Sequence, residues 1–252
     1  MWSDVVELRD FYASPLGKTA EQVLQGTLRH AWPQVRGLRL AGYGYAGPFL
    51  MPFAAEARSL IALMPGPQGV VAWPPEGRNL ACLVEEECLP LADLSLDRML
   101  LVHALEHVPR PATLLREVWR VLDAEGRLLI VVPARRGLWA RVDRTPFGWG
   151  RPFSRAQVTR LLNEMQFEQI SVERALFVPP SSSSWLQRSA PAWERLGARW
   201  FPRFGGIIAI EARKRVTGLI GPTPARRRVV PVLPGLTRRN ARPPPAPART
   251  KA

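Results

Sequence analysis

The sequence predicts an α/β fold, a three-layer sandwich around a mostly parallel sheet. Three observations predict it. Apolar runs of strand length recur at Gly37–Ala41, Ser59–Met64, Ala81–Val84, Met99–Val102 and Leu128–Val132. Between the last two lies a helical pattern with Leu114, Leu115, Val118, Val121 and Leu122 on one face. Strands alternating with a helix of this length are the signature of parallel βαβ units. Polar residues then gather where strands end: Glu85 and Glu86 after one run, His103 and Glu106 after the next. In open sheets of this kind ligands bind beyond the carboxyl ends of the strands. The stretch Leu83–Pro133 is therefore the centre of the chain.

The chain has 252 residues, 46% of them hydrophobic, enough for one large domain with a full core and an appendage. Its formal net charge is +14. Eleven of the 35 Lys and Arg residues lie in 213–252, which contain no Asp or Glu, so the remainder carries only about +3. The division expected is a helical segment over 1–35, a globular domain over 36–215, and a basic Pro-rich tail over 216–252 that stays disordered. The two cysteines, Cys82 and Cys88, have no metal-cluster spacing and fit a reduced, cytoplasmic setting. No apolar run reaches the length of a membrane span.

Residues 3–31 read as one or two amphipathic helices, broken near Pro15 and Gly17, with Phe11 and Tyr12 as core packing. Gly37–Ala41 runs into Gly42-Tyr43-Gly44-Tyr45-Ala46-Gly47, a G-x-G-x-x-G sequence. Glycines after a strand let backbone approach a ligand, and a following helix offers unpaired N–H groups. Pro48–Ala57 reads as a helix interrupted at Pro52. Gly66–Asn79 is Pro/Gly-rich where a helix is normally expected. The loop Ala134–Arg155 is rich in Gly, Trp and Arg with Asp143 as its single acid, a composition that marks a functional loop or Arg packed on Trp. Ser154 is placed to cap a helix over Arg155–Met165. Phe167–Val178 and Gly206–Glu211 are late strands, with a helical segment around Trp185–Trp200 between them.

In this order the parts resemble the class I S-adenosylmethionine-dependent methyltransferases, in particular the broad type 11 group. The similarity runs over residues 35–175. Gly42 and Gly44 are similar to the family's glycine loop. VEEECLPLADLSLD resembles the acid-containing stretch before the fourth strand, and LLREVWRVLDAEGRLLIVVP the helix and fifth strand that follow. The resemblance implies a Rossmann-like, seven-stranded sheet whose late pair forms an antiparallel edge. It implies S-adenosyl-L-methionine as cofactor, held by Gly42, Tyr43, Gly44, Glu85, Glu86 and His103, with Glu85 accepting from the adenine amino group. Tyr12, Trp139, Arg141 and Asp143 are assigned to the acceptor side. The sequence departs from the family at two acids. Leu40 stands two residues before the first glycine, and Ala62-Leu63-Met64 closes the second strand. Each absent acid removes a charged hydrogen bond worth about 1.5–3 kcal/mol.

Methyl transfer is an in-line displacement, so the protein mainly orients two reactants and excludes water. A base is needed only where the acceptor must lose a proton, and His107 is the candidate. His103, Glu106 and His107 spell H-x-x-E-H, a zinc motif when it lies on one helix. Here His103 ends a strand and Pro109 follows, so no metal is expected. The function expected is methylation of a small or macromolecular acceptor, the alternative a non-catalytic binding or regulatory relative. A nicotinamide oxidoreductase lacks its ribose-binding acid. The tail arginines Arg226–Arg228, Arg238 and Arg239 suit weak charge-driven contact with anionic lipid or nucleic acid, without aromatics for base stacking.

Overall fold

Seven strands form one sheet in the order β3-β2-β1-β4-β5-β7-β6: β1 is Arg39–Gly44, β2 Ser59–Pro65, β3 Ala81–Val84, β4 Leu96–Val102, β5 Leu122–Pro133, β6 Phe167–Ala175 and β7 Ile207–Lys214. The computed structural model describes residues 2–215, which fall in one compact unit. Neighbours among β1 to β5 run parallel, and β7 lies antiparallel to both β5 and β6. This is the predicted three-layer Rossmann-like sandwich with its antiparallel edge. β1 pairs with β2 on one side and β4 on the other, so the strand order reverses there. A crevice at that switch point is where such sheets take ligands.

Each face of the sheet carries its own apolar layer. Successive side chains of a strand alternate between faces. Met99 and Leu101 of β4, with Ile130, Ile208 and Ile210, meet Leu114, Leu115 and Val118 of α4 (Pro111–Val121) and Leu162 of α5 (Arg155–Glu164). Leu100, Val102 and Leu40 face the other way, towards Leu8 and Tyr12 on α1 (Val5–Ala13) and Leu24 and Leu28 on α2 (Pro15–Ala31). The two N-terminal helices are thus part of this unit, and α2 also meets α3 (Gly47–Leu50) and β6.

Local chemistry sets the helix ends. Asp4 accepts from the Val6 amide at 2.7 Å and starts α1. Ser14 accepts from the Gly17 amide at 3.0 Å with Pro15 at the first position of α2. A Cβ on Gly17 would lie 1.9 Å from the Phe11 carbonyl oxygen, so only glycine allows this tight corner. Ser154 and Gln157 form a reciprocal capping box on α5. The helix expected over Pro48–Ala57 is only α3 and a 3₁₀ turn, Met51–Phe53, because Pro52 has no N–H to continue the ladder. Between β2 and β3 lies one 3₁₀ turn, Gly66–Gln68, in place of a helix. Two short helices, α6 (Ser184–Arg188) and α7 (Ala190–Trp200), precede β7. The expectations for the tail over 216–252 lie outside the described residues.

Arg39 of β1 clamps Asp97 of β4 with Nε and Nη2 bonds of 2.9 Å each, and its amide adds a third at 2.7 Å. The Arg39 guanidinium holds the Asp97 carboxyl below its usual range. A depressed carboxylate stabilises the fold above its unfolded pKa, near 4, and that contribution is lost as pH falls through the lower folded value. Asp97→Asn should therefore cost about 1–2 kcal/mol at neutral pH, after allowing for partial solvent screening. In urea melts of both proteins, the difference should shrink as the pH falls below the unfolded carboxylate range and vanish below the lower folded pKa.

Candidate functional site

β1 does not stop where a glycine loop was expected. Gly42 and Tyr43 remain paired on both sides of the strand, and the turn begins only after Gly44. The Gly44 φ is +83°, and a Cβ there would lie 2.4 Å from the Val102 carbonyl oxygen. The Tyr45 amide bonds that same oxygen at 2.9 Å. A Cβ on Gly42 would strike the Ala46 side chain at 2.4 Å. These glycines thus let the chain fold back tightly on β4 and on its own helix. Tyr43 to Gly47 are all buried, and the Trp73 indole lies over Gly47.

At the exit of β4, His103 takes the left-handed conformation, φ +49°. Such backbone costs about 1–3 kcal/mol and gathers at functional sites. The imidazole is buried. Its Nε2 meets the Tyr12 hydroxyl at 2.6 Å, and its Nδ1 lies 3.5 Å from Glu106 Oε1. Burial pushes the Tyr12 phenol well above its usual value, so it stays protonated and donates to Nε2. Nδ1–H then faces the carboxylate of Glu106, itself buried with neither oxygen in a hydrogen bond. Glu106, His103 and Tyr12 form one buried polar line across the end of the sheet. The Tyr12 ring also stacks on Tyr45, 5.5 Å apart.

A second group forms beside it. Trp2 stacks on His107 at 5.5 Å, meets the Tyr43 ring edge-on, and donates its indole N–H to Glu86. Ser3 Oγ lies 3.2 Å from His107 Nε2. Glu86 is thus half-buried and already holds the N–H of a flat heterocycle. Gln68, just past β2, is fully buried with both amide atoms unbonded, and the Tyr43 hydroxyl is also unbonded. A cavity of about 370 Å³ opens beside Glu85 and Glu86, lined also by Gly66, Val84 and Arg110.

The structure therefore brings together Tyr12, Tyr43, Gly44, Glu86, His103 and His107. It does not bring the others to the same place. Glu85 is exposed on a turn bridged to Cys88. Trp139 is fully buried, bonds the Val178 carbonyl through its indole N–H at 2.7 Å, and packs on Phe147, which in turn meets His103. Arg141 and Asp143 are exposed. Leu40 is buried under the N-terminal helices, so the position of the first absent acid is core. His103 and His107 share no helix, and among the described residues no three His, Cys, Asp or Glu side chains cluster as a metal site. Gln68, Trp2, Ser3 and Trp73 were missed from sequence, since each belongs to a turn or terminus with no periodic signal.

Residues 43–130 match the family described as a methyltransferase domain. This match lies on the Rossmann-like sheet described above, from β1 to within β5. It is similar to a methyltransferase from Thermotoga maritima described as a possible histamine N-methyltransferase, at 20% identity and TM-score 0.60, over 84% of this chain and 96% of that one. A methyltransferase from Archaeoglobus fulgidus is 18% identical, TM-score 0.55, over 77% and 94%. A chain from the Haloferax volcanii complex of a methyltransferase with its Trm112 activator is 13% identical, TM-score 0.60, over 86% and 100%. No curated protein matches. Among the described residues no helix is long and apolar enough to cross a membrane.

The contact at Gly44 makes this glycine a matter of folding before it is one of ligand binding. Gly44→Ala should destabilise the protein by roughly 1–3 kcal/mol, from strained φ and a clash with fixed backbone. A urea melt checks this, and an unchanged midpoint would mean the turn relaxes freely.

Proposed function

We propose that the protein binds S-adenosylmethionine at the switch point between β1 and β4 and methylates an acceptor presented over His103. The observation that carries this is a set of buried polar groups with unused bonding capacity, all at or just past the carboxyl ends of β1, β2 and β4: Tyr43, Gln68 and Glu106. Buried polar groups are normally bonded, so unbonded ones gathered at a ligand crevice fit a polar ligand. Glu86, which holds the Trp2 indole N–H, is suited to the adenine amino group, and His107 to stacking under the base. The Gln68 amide, following β2, offers a donor and an acceptor to the ribose hydroxyls where the family's acid is absent. S-adenosylmethionine supplies a methyl group on a sulfonium sulfur. The protein's share is to align the acceptor and exclude water. His103, backed by Glu106, is placed to take a proton from an acceptor that replaces the Tyr12 hydroxyl at Nε2. Trp2 and Ser3 cover the base site and must swing away for the cofactor to enter.

A second reading is favoured by one observation. Tyr43–Gly47 are buried, with Trp73 over Gly47, and Leu40 is core, as in a domain that keeps the fold without binding the cofactor. Calorimetry with S-adenosylhomocysteine separates the two. Glu86→Gln should weaken binding by about 1.5–3 kcal/mol, roughly 10- to 150-fold, and Glu85→Gln by less. Trp2→Ala should tighten binding, since the ligand no longer competes with a stacked indole. Absence of binding at millimolar ligand in both wild type and Trp2→Ala would leave the non-catalytic reading.

A further inference from the structure

The segment between β6 and β7 presents an apolar surface that the site does not use. Trp200 is 67% exposed and Phe201 63%, and Trp185, Leu196 and Phe204 are also more than half exposed. Leu196 and Trp200 lie four residues apart, so they share one stripe of α7. Arg195 and Arg199 have the same spacing and form the adjacent stripe. Arg188 ends α6 and Arg203 follows α7. Among the described residues none of these four arginines forms an ion pair with a carboxylate. The segment's single acid, Glu194, is turned inward and accepts from the Phe177 and Val178 amides at 2.7 and 3.1 Å. Gly197 seats the helix on the Phe177 ring, where a Cβ would lie 2.3 Å away. The helix is thus fixed to the domain by one side, and its aromatic and basic stripes face outward.

A helix with Leu and Trp on one stripe, Phe just past its end and arginines beside it matches the boundary of an anionic bilayer. Indoles settle at the level of the headgroups, and arginines reach the phosphates with their stems along the apolar surface. We propose that α6, α7 and the turn to Phe204 form a membrane-surface docking face for anionic phospholipid. Charge complementarity selects this occupant: exposed cations stand alone beside the aromatics, and the one carboxylate is spent on the backbone. The face carries an exposed aliphatic residue, Leu196, beside its aromatics, which suits acyl-chain insertion better than base stacking. The proposal does not rest on the methyltransferase reading.

The test is flotation of the full chain with vesicles of phosphatidylcholine and phosphatidylglycerol, against phosphatidylcholine alone. The protein should float with the anionic vesicles. The triple substitution Leu196→Ser, Trp200→Ser and Phe201→Ser keeps every charge, the tail included, and should lower affinity by about tenfold or more. These side chains are exposed, so the melting temperature should hold. Arg195→Gln with Arg199→Gln should also weaken flotation and flatten its salt dependence. The proposal is overturned if wild type floats with neither vesicle, or if the triple variant floats as well as wild type, which would assign binding to charge alone. It also fails if the aromatics instead hold two copies together in sedimentation, or hold a single-stranded oligonucleotide that displaces the vesicles.

Discussion

The buried line Tyr12–His103–Glu106 constrains everything at the carboxyl edge of the sheet. A carboxyl group taken out of water is costly, and His103 Nδ1 lies 3.5 Å from Glu106 Oε1. His103 can reach both Glu106 and Tyr12 because its backbone turns into the left-handed region immediately after β4. Tyr12 in turn fixes α1 over the ends of β1 and β4. With α1 fixed, the tight corner at Ser14, Pro15 and Gly17 sends α2 across the sheet face, towards α3 and β6. This contact helps to place α1, while Gln25 and Arg29 tie α2 to the Pro48 and Pro52 carbonyls at 3.0 and 3.1 Å.

The same contact explains why the site is covered by the chain itself. Holding Tyr12 at His103 leaves Trp2 and Ser3 above His107 and Glu86. An indole N–H bonded to a carboxylate and a ring stacked on an imidazole are interactions that a purine also makes. The N-terminal segment and an adenine base would thus compete for the same partners. This competition makes ligand affinity depend on how readily Trp2 leaves.

Much of the fold was legible in the sequence because it rests on periodicity. The runs at Ser59–Met64, Met99–Val102 and Leu128–Val132 became parallel strands, and the apolar face at Leu114, Leu115 and Val118 became the inner face of α4. Ser154 was legible as a cap because its bond is local. The helix expected after Gly47 was cut short by Pro52. The site was less legible, since it depends on contacts distant in sequence. Tyr12 reads as core until His103 is seen 2.6 Å from its hydroxyl. Glu85 and Glu86 are indistinguishable as neighbours in an acid run, yet only Glu86 turns inward to Trp2 and Tyr43. Gln68 sits in a Pro-Gly-Pro turn without pattern, and only its burial marks it. Trp139 and Arg141 drew attention by composition, but burial places one in the core and the other in solvent.

The central claim is that the N-terminal segment occupies a cofactor site which S-adenosyl compounds claim on binding. Hydrogen–deuterium exchange of the full chain, with and without saturating S-adenosylhomocysteine, tests it most directly. The account predicts slower exchange at the amides of Tyr43–Gly47 and at Gln68, with faster exchange over residues 2–8 as Trp2 and Ser3 are released. Unchanged exchange in both segments, or slower exchange over residues 2–8, would contradict it.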